Sequence, residues 1–360
     1  MKVLALASYP IELASTRYRL AQFVGPLAER GINLKIEPFL DSRLTTMLYS
    51  RSAWPRTAVG LMTASVRRLG TVWGAHNADL LFVQREAMIF GPPLIEWMAM
   101  RVGRCPMVLD LDDATYVSYV SPTYGRLASS LKWFSKTDDL IRWASVVTCG
   151  NRTIAEYVKA KGKEAVLIPT VVDTDQFLPR SAPKMEQIPV IGWIGTHSTY
   201  QYLETVFPAL QQLARKHPFR LKIVGAGRKE VTIPGVEVEN LKWSLEREIT
   251  DFQSFDIGLY PVIGDNWSVG KSGFKSVQYM AVGIPFVTSP VGACAEIGEP
   301  NVTHFLAETE SDWINALERL LVDEALRRRM GAAGRQHALT HYTLGLQANK
   351  LADTFRAIVG

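Results

Sequence analysis

Two lysines four residues apart, Lys271 and Lys275, flank the turn Ser272-Gly273-Phe274, which leads into a helix-length stretch ending at Val282. The start of a helix carries unpaired amides and the positive end of the dipole, so such a turn can hold a diphosphate, with the lysines adding charge. The same spacing suits a plain solvated helix face, and both readings stand at this stage. Gln278 can offer an amide to a vicinal diol or be an ordinary polar helix residue. Gly195 and Thr196 follow the apolar run Val190–Ile194, where glycine permits a tight turn and also close backbone approach to a ligand. Asp112 and Asp113 end another such run, Val108–Leu111; a carboxylate there can accept a proton or orient a substrate, or merely cap the next segment. Asp112 is the preferred member of the pair. Arg17 and Arg19 follow the first apolar run, where either can meet phosphate or begin a surface helix. Gly225-Ala226-Gly227 lacks the third glycine and acidic partner of a dinucleotide fingerprint, and His197 reads as a loop residue rather than a base.

The elements that must position these groups alternate in kind. Strand-like Val3–Ala7, Leu80–Val83, Met107–Leu111, Val146–Cys149 and Ala165–Ile168 are separated by helix-length segments such as Tyr18–Arg30, Leu94–Val102 and Thr153–Lys161. That rhythm predicts βαβ units and a parallel sheet. A polar, Pro-containing stretch follows Ile168 through Pro189 and marks a domain boundary. The rhythm restarts with strand Val190–Ile194, helix Tyr202–Lys216, strand Arg220–Val224, strand-like Val236–Val238, helix Leu245–Ser254, strand Ile257–Tyr260, helix Lys275–Val282 and strand Pro285–Thr288. The fold class is therefore α/β, with two Rossmann-like doubly wound domains facing each other across a cleft and the ligand expected at the carboxyl ends of the strands. Domains 1–170 and 171–340 are followed by a final helix, 341–360, expected to pack back on the first.

A chain of 360 residues exceeds the size at which one core stops growing, which agrees with two domains. With 47% hydrophobic and 21% charged residues it is globular rather than disordered. Cys105, Cys149 and Cys294 are odd in number and widely spaced, so neither a disulfide framework nor a zinc site is indicated and a reducing cytoplasm fits. The apolar run at the N-terminus is short and reads as a buried strand rather than a signal peptide. A net charge of +5 is a weak argument for any polyanion, and no nucleic-acid partner is expected. The segment 49–73 mixes Arg51, Arg56, Arg67 and Arg68 with Tyr49, Trp54, Leu61, Met62, Val66, Leu69 and Trp73. It suits either a membrane surface or a packed helix pair with solvated arginines.

The run Lys271-Ser272-Gly273-Phe274-Lys275 through Gly283-Ile284-Pro285-Phe286-Val287-Thr288-Ser289 resembles the donor-binding signature of family-four retaining glycosyltransferases with the GT-B fold. Gly192–Thr199, Ile223–Gly227, Phe252–Pro261 and Ile168–Phe177 agree in order and spacing; the N-terminal part rests on Ser15–Arg19 and Asp110–Ala114. The resemblance implies transfer of a sugar from a nucleoside diphosphate sugar to an acceptor hydroxyl with retention, by a front-face reaction that needs no protein nucleophile. It implies a donor domain at 171–340, an acceptor domain at 1–170, and neither cofactor nor metal. The acceptor would be a sugar or a lipid-linked sugar in polysaccharide or glycolipid assembly, handled in the cytoplasm or at the inner face of the membrane. Two glutamates that usually bracket the donor loop fall at Gly270 and Gln278, and the usual arginine and lysine after the first strand of the donor domain fall near Thr196 and Tyr200. The diphosphate cations would then be Lys271 and Lys275. Loss of both carboxylates keeps open a donor-binding scaffold without turnover, and a sugar-nucleotide epimerase is the rival enzyme on the same architecture.

Overall fold

The computed structural model describes residues 1–48, 50–120, 125–181, 188–227, 230–265 and 267–360. Two compact units share the chain: Met1–Thr170 with Gly270–Ser272 and Leu344–Gly360, and Val171–Val269 with Gly273–Thr343. The segment Gly270–Ser272, expected in the second domain, groups with the first unit because Asn151 Nδ2 donates to the carbonyls of Gly270 (2.8 Å) and Lys271 (3.1 Å).

The first unit is built on strands β1 (Lys2–Ala7), β2 (Asn33–Pro38), β3 (Leu80–Gln84), β4 (Met107–Leu111), β5 (Val146–Cys149) and β6 (Ala165–Leu167), in the order β2-β1-β3-β4-β5-β6. Every pairing is parallel, in register Val3 opposite Leu80 and Leu81 opposite Met107. Strands β3, β4 and β5 are buried along their whole length, as continuous apolar runs must be when helices cover both faces. The last helix, Leu344–Val359, belongs to this unit: the Phe355 ring packs edge-on to Phe82 at 5.0 Å, and Arg30 Nε donates to Asn349 Oδ1 at 2.7 Å.

The second unit carries β7 (Val190–Ile194), β8 (Arg220–Val224), β9 (Glu237–Leu241), β10 (Ile257–Tyr260), β11 (Phe286–Thr288) and β12 (His304–Leu306), all parallel and ordered β12-β11-β10-β7-β8-β9. Read from β9, this is the 3-2-1-4-5-6 order of a dinucleotide-binding sheet, and its order reverses between β7 and β10. In the first unit the reversal lies between β1 and β3.

Several expected helices are shorter than the pattern suggested. Tyr202–Lys216 resolves into Tyr200–Glu204 and Phe207–Ala214, with Pro208 in the first turn of the second piece, where its missing N–H costs nothing. Tyr18–Arg30 likewise becomes Ala14–Arg19 and Val24–Glu29, the latter holding Gly25 and Pro26 in its first turn. Leu245–Ser254 opens with one 3-10 turn, Leu245–Arg247, before the helix Glu248–Gln253. Among the described residues no helix is long and apolar enough to cross a membrane.

Gly192 sits inside β7 for packing: a Cβ there would lie 2.0 Å from the Phe255 ring. Gly192→Ala is expected to destabilise the protein by about 3 kcal/mol, the cost of an overpacked core. Denaturant midpoints would show it, with partial recovery when Phe255→Leu is added.

Candidate functional site

In the first unit the candidate residues gather at the carboxyl ends of β1, β3, β4 and β5. Ser8 Oγ donates to Glu86 O at 2.7 Å, tying the ends of β1 and β3 at the point where strand order reverses. Arg85, directly after β3, holds a left-handed backbone (φ 62°) and donates through Nε and Nη2 to the two oxygens of Asp112, at 2.6 and 2.7 Å. This is a bidentate fork between two largely buried side chains. Asp113 stands beyond it, 3.6 Å from Arg85 Nη2. Burial would raise both carboxyls, yet the outcomes differ. Arg85 overcomes burial at Asp112 and holds it below the usual carboxylate range, whereas at Asp113 burial and the Asp112 charge prevail over Arg85 and Lys271 and push the carboxyl up. Adjacent carboxyls driven apart in this way divide the roles of fixed anion and proton carrier.

Gly270 and Lys271 lie in the same unit. A Cβ on Gly270 would sit 2.2 Å from the Ala114 Cβ, so no glutamate fits at that position. Arg17 donates to Glu12 O at 3.2 Å and lies over the Tyr18 ring at 4.6 Å. Arg19 does not meet phosphate. It is buried and donates through Nε to Asp110 Oδ2 at 3.0 Å and through Nη1 to Ile168 O at 2.6 Å.

In the second unit, Gly273 is the N-cap of the helix Phe274–Ala281 with φ 63°, and a Cβ on it would meet Ile297 Cδ1 at 2.5 Å. Only glycine suits both demands. Gly273 brings no side chain to cap this helix, and Ser276 N donates to Gly273 O at 3.0 Å in its first turn. Lys275, half-buried in its first turn, stands with Nζ 5.2 Å from the centroid of the Tyr260 ring. The helix is anchored by Tyr279, whose hydroxyl donates to Leu259 O (3.0 Å) and to Gly192 O (3.2 Å). Gln278 is buried and donates its amide to Glu248 Oε1 at 3.4 Å. Across the reversal point, Gly195 and Thr196 follow β7: Thr199 Oγ1 accepts from Thr196 N at 3.0 Å, and a Cβ on Gly225 would lie 2.4 Å from Gly195 O. The turns after β7 and β8 therefore touch backbone to backbone. Among the described residues no group of three or more His, Cys, Asp or Glu side chains is placed to hold a metal.

The model of a protein family described as "Glycosyl transferases group 1" matches residues 188–323, which contain the β7 turn, Glu248 and the Phe274–Ala281 helix. Residues 188–323 are thus similar to that family over somewhat more than a third of the chain. Solved structures match along the whole chain. A glycosyltransferase from Rickettsia africae aligns with a TM-score of 0.72 at 11% identity, covering 99% of this chain and 98% of its own. Sucrose-phosphate synthase from Thermosynechococcus elongatus aligns at 0.69 and 14%, covering 99% of both chains. Anabaena HepE, solved in complex with UDP-glucose, aligns at 0.70 and 16%, covering 99% and 100%. No curated protein matches by sequence. The two parallel six-stranded sheets and these likenesses give the chain the GT-B fold.

Two groups escaped sequence reading. Arg85 carries no motif; its importance comes from the fork with Asp112, 27 residues away. Glu248 lies within the matched residues 188–323, 30 residues before Gln278, and returns a carboxylate to the side chain that stands where a second glutamate was expected. Its place in the first turn of Glu248–Gln253 was the one available sequence signal.

The two aspartates should separate on titration. A folded-state pKa below the unfolded value gives stability that is present above the ordinary carboxylate range, near 3.9, and lost as pH falls through it. Asp112→Asn should therefore lower stability at pH 7 by about 3 kcal/mol, leaving the buried Arg85 uncompensated, with the difference narrowing below about pH 4. At Asp113 the sign reverses: its raised carboxyl costs stability once pH exceeds the ordinary range, so Asp113→Asn should not lower the melting temperature at pH 7. Thermal melts of both variants across pH 3 to 8 check this, on the scale set by the ordinary carboxylate value of about 3.9.

Proposed function

We propose that this protein is a retaining glycosyltransferase that moves a hexose-type sugar from a nucleoside diphosphate sugar to an acceptor hydroxyl. The observation that carries the reading is the glycine-capped start of the Phe274–Ala281 helix with Lys275 in its first turn, inside residues 188–323 that match the group 1 family model. The first-turn amides around Ser272, Gly273 and Phe274, with Lys271 and Lys275, take the diphosphate, and these cations supply the countercharge in place of a metal. Gln278 and Glu248 together take the ribose hydroxyls. Gly195 and Thr196 offer backbone amides to the donor, and Arg17 is an accessory cation on the acceptor side.

Asp112, locked by Arg85, is a fixed anion; Asp113, with its carboxyl pushed up, is the better group to orient the acceptor or sugar hydroxyl. In the transfer the bond between sugar C1 and the diphosphate oxygen breaks as the acceptor oxygen bonds C1 on the same face, and the acceptor proton passes to the leaving phosphate. Catalysis is then positioning and charge stabilisation. UDP is the first base to test, since HepE was solved with UDP and with UDP-glucose. The acceptor is proposed to be a sugar or lipid-linked sugar of a polysaccharide or glycolipid.

The second reading, a donor-binding scaffold, is favoured by Gly270, where Ala114 leaves no space for a carboxylate. Calorimetry with UDP, GDP and their sugars tests both. One diphosphate series should bind, and Lys271→Ala and Lys275→Ala should each weaken it by about tenfold, roughly one charge-assisted contact. Release of nucleoside diphosphate on adding acceptor identifies the transferase, while binding without release under every acceptor identifies the scaffold. Absence of binding by every nucleotide overturns both.

A further inference from the structure

The helix Trp54–Gly74 buries Thr57, Ala64, Arg68 and Val72 and carries its large apolar side chains on another face. Ala64 and Val72 turn inward and are buried, yet the outward face presents Val59, Met62, Val66, Leu69 and Trp73, exposed by 62, 66, 65, 49 and 74%. Their spacing of three and four places them on one stripe. Trp54, 63% exposed, stands at the other end of the helix from Trp73. A row of large apolar side chains this open to water marks a surface that meets something else. Tyr49 lies outside the described residues.

The surroundings say what that is. Between Asp41 and Asp79 the chain has five arginines and no acidic residue. Arg68 is not the solvated arginine of the sequence reading; it is buried, donates to Glu37 O (2.8 Å) and Ala7 O (2.7 Å), and burial lowers its pKa to about 10. Arg43, Arg56 and Arg67 do face solvent, and all three line a groove of about 520 Å³ between this helix and Ser42–Leu48, beside the apolar stripe. The one carboxylate on the groove, Asp41, is engaged as a cap, accepting from Leu44 N at 2.7 Å. Arg67 is oriented by its bond to Phe39 O at 2.7 Å.

We propose that this face docks the protein on an anionic lipid bilayer, the helix lying in the plane of the interface with its stripe among the acyl chains and the groove arginines on lipid phosphates. Tryptophans at both ends suit the headgroup level, and arginine suits phosphate oxygens. A second copy fits worse: a two-fold pairing sets the same face against itself, so Arg56 and Arg67 would meet their own kind with no carboxylate on the helix to offset them. The proposal is independent of the transferase reading, because docking requires no nucleotide.

The test is co-sedimentation of the full chain with vesicles of phosphatidylcholine alone and of phosphatidylcholine with phosphatidylglycerol. Binding should require phosphatidylglycerol and weaken with salt. Met62→Ser with Val66→Ser, and separately Arg43→Gln with Arg56→Gln, should each lower partitioning by about tenfold while leaving the melting temperature and UDP calorimetry unchanged. The proposal is overturned by a folded wild type that ignores phosphatidylglycerol vesicles at low salt, or by double variants that both bind as well as wild type. It is also overturned by a dimer that ignores vesicles and becomes monomeric in Met62→Ser with Val66→Ser, which would assign the face to a second copy.

Discussion

The buried pair of Arg19 and Asp110 holds the carboxyl end of the first sheet together. Arg19 belongs to the short helix after β1 and Asp110 to β4; Thr148 of β5 donates to the same aspartate at 2.6 Å, and Arg19 also reaches the carbonyl of Ile168 just past β6. Burial alone would strip the guanidinium of its proton more readily, but Asp110 more than compensates and its pKa is raised. A charge pair removed from water survives only when its remaining bonding positions are filled, and here hydroxyl and carbonyl fill them. Everything on that edge of the sheet, the Arg85–Asp112 fork included, is built on strand ends that this pair aligns.

The second unit reaches the same result with aromatic packing and missing side chains. Gly192 and Gly258 leave space on neighbouring strands for the rings of Phe255 and Tyr279, and Tyr279 then spans from its helix to the carbonyls of both strands. The start of that helix is thereby fixed relative to the turn after β7. His304 stacks on Phe286 at 4.9 Å in the same interior and stays neutral, its pKa lowered to about 4 by burial and by the nearby His337. Rigid strands carrying glycine-built turns at one edge form a scaffold that can present amides to an anion without rearrangement.

Within the candidate site, the paired aspartates illustrate how neighbours in sequence acquire different chemistry. Asp112 and Asp113 share a strand end, Asp112 being the more buried, and only Asp112 receives the fork of Arg85. The other is left with a desolvated carboxyl beside a fixed negative charge, which favours holding a proton. The sequence favours Asp112 as a carboxylate at a strand end, but nothing local shows which of the two receives an arginine.

Much of the architecture was legible from the chain alone, for a physical reason: apolar runs of strand length, glycines and prolines act over a few residues, and their alternation restricts the fold to parallel sheets. The donor-loop motif was legible for the same reason, since Gly273 must take a left-handed backbone and the lysines lie within one turn of it. Helix breaks at Gly25-Pro26 and Pro208 were also local, and periodicity overrode them. Tertiary structure alone decided what depends on partners distant in sequence: Arg85 on Asp112, Glu248 on Gln278, and Ala114 against Gly270. It also decided which side of Trp54–Gly74 is buried. Nothing local says which face of this helix meets the core, and packing against Ser42–Leu48 and Leu94–Gly103 makes that choice.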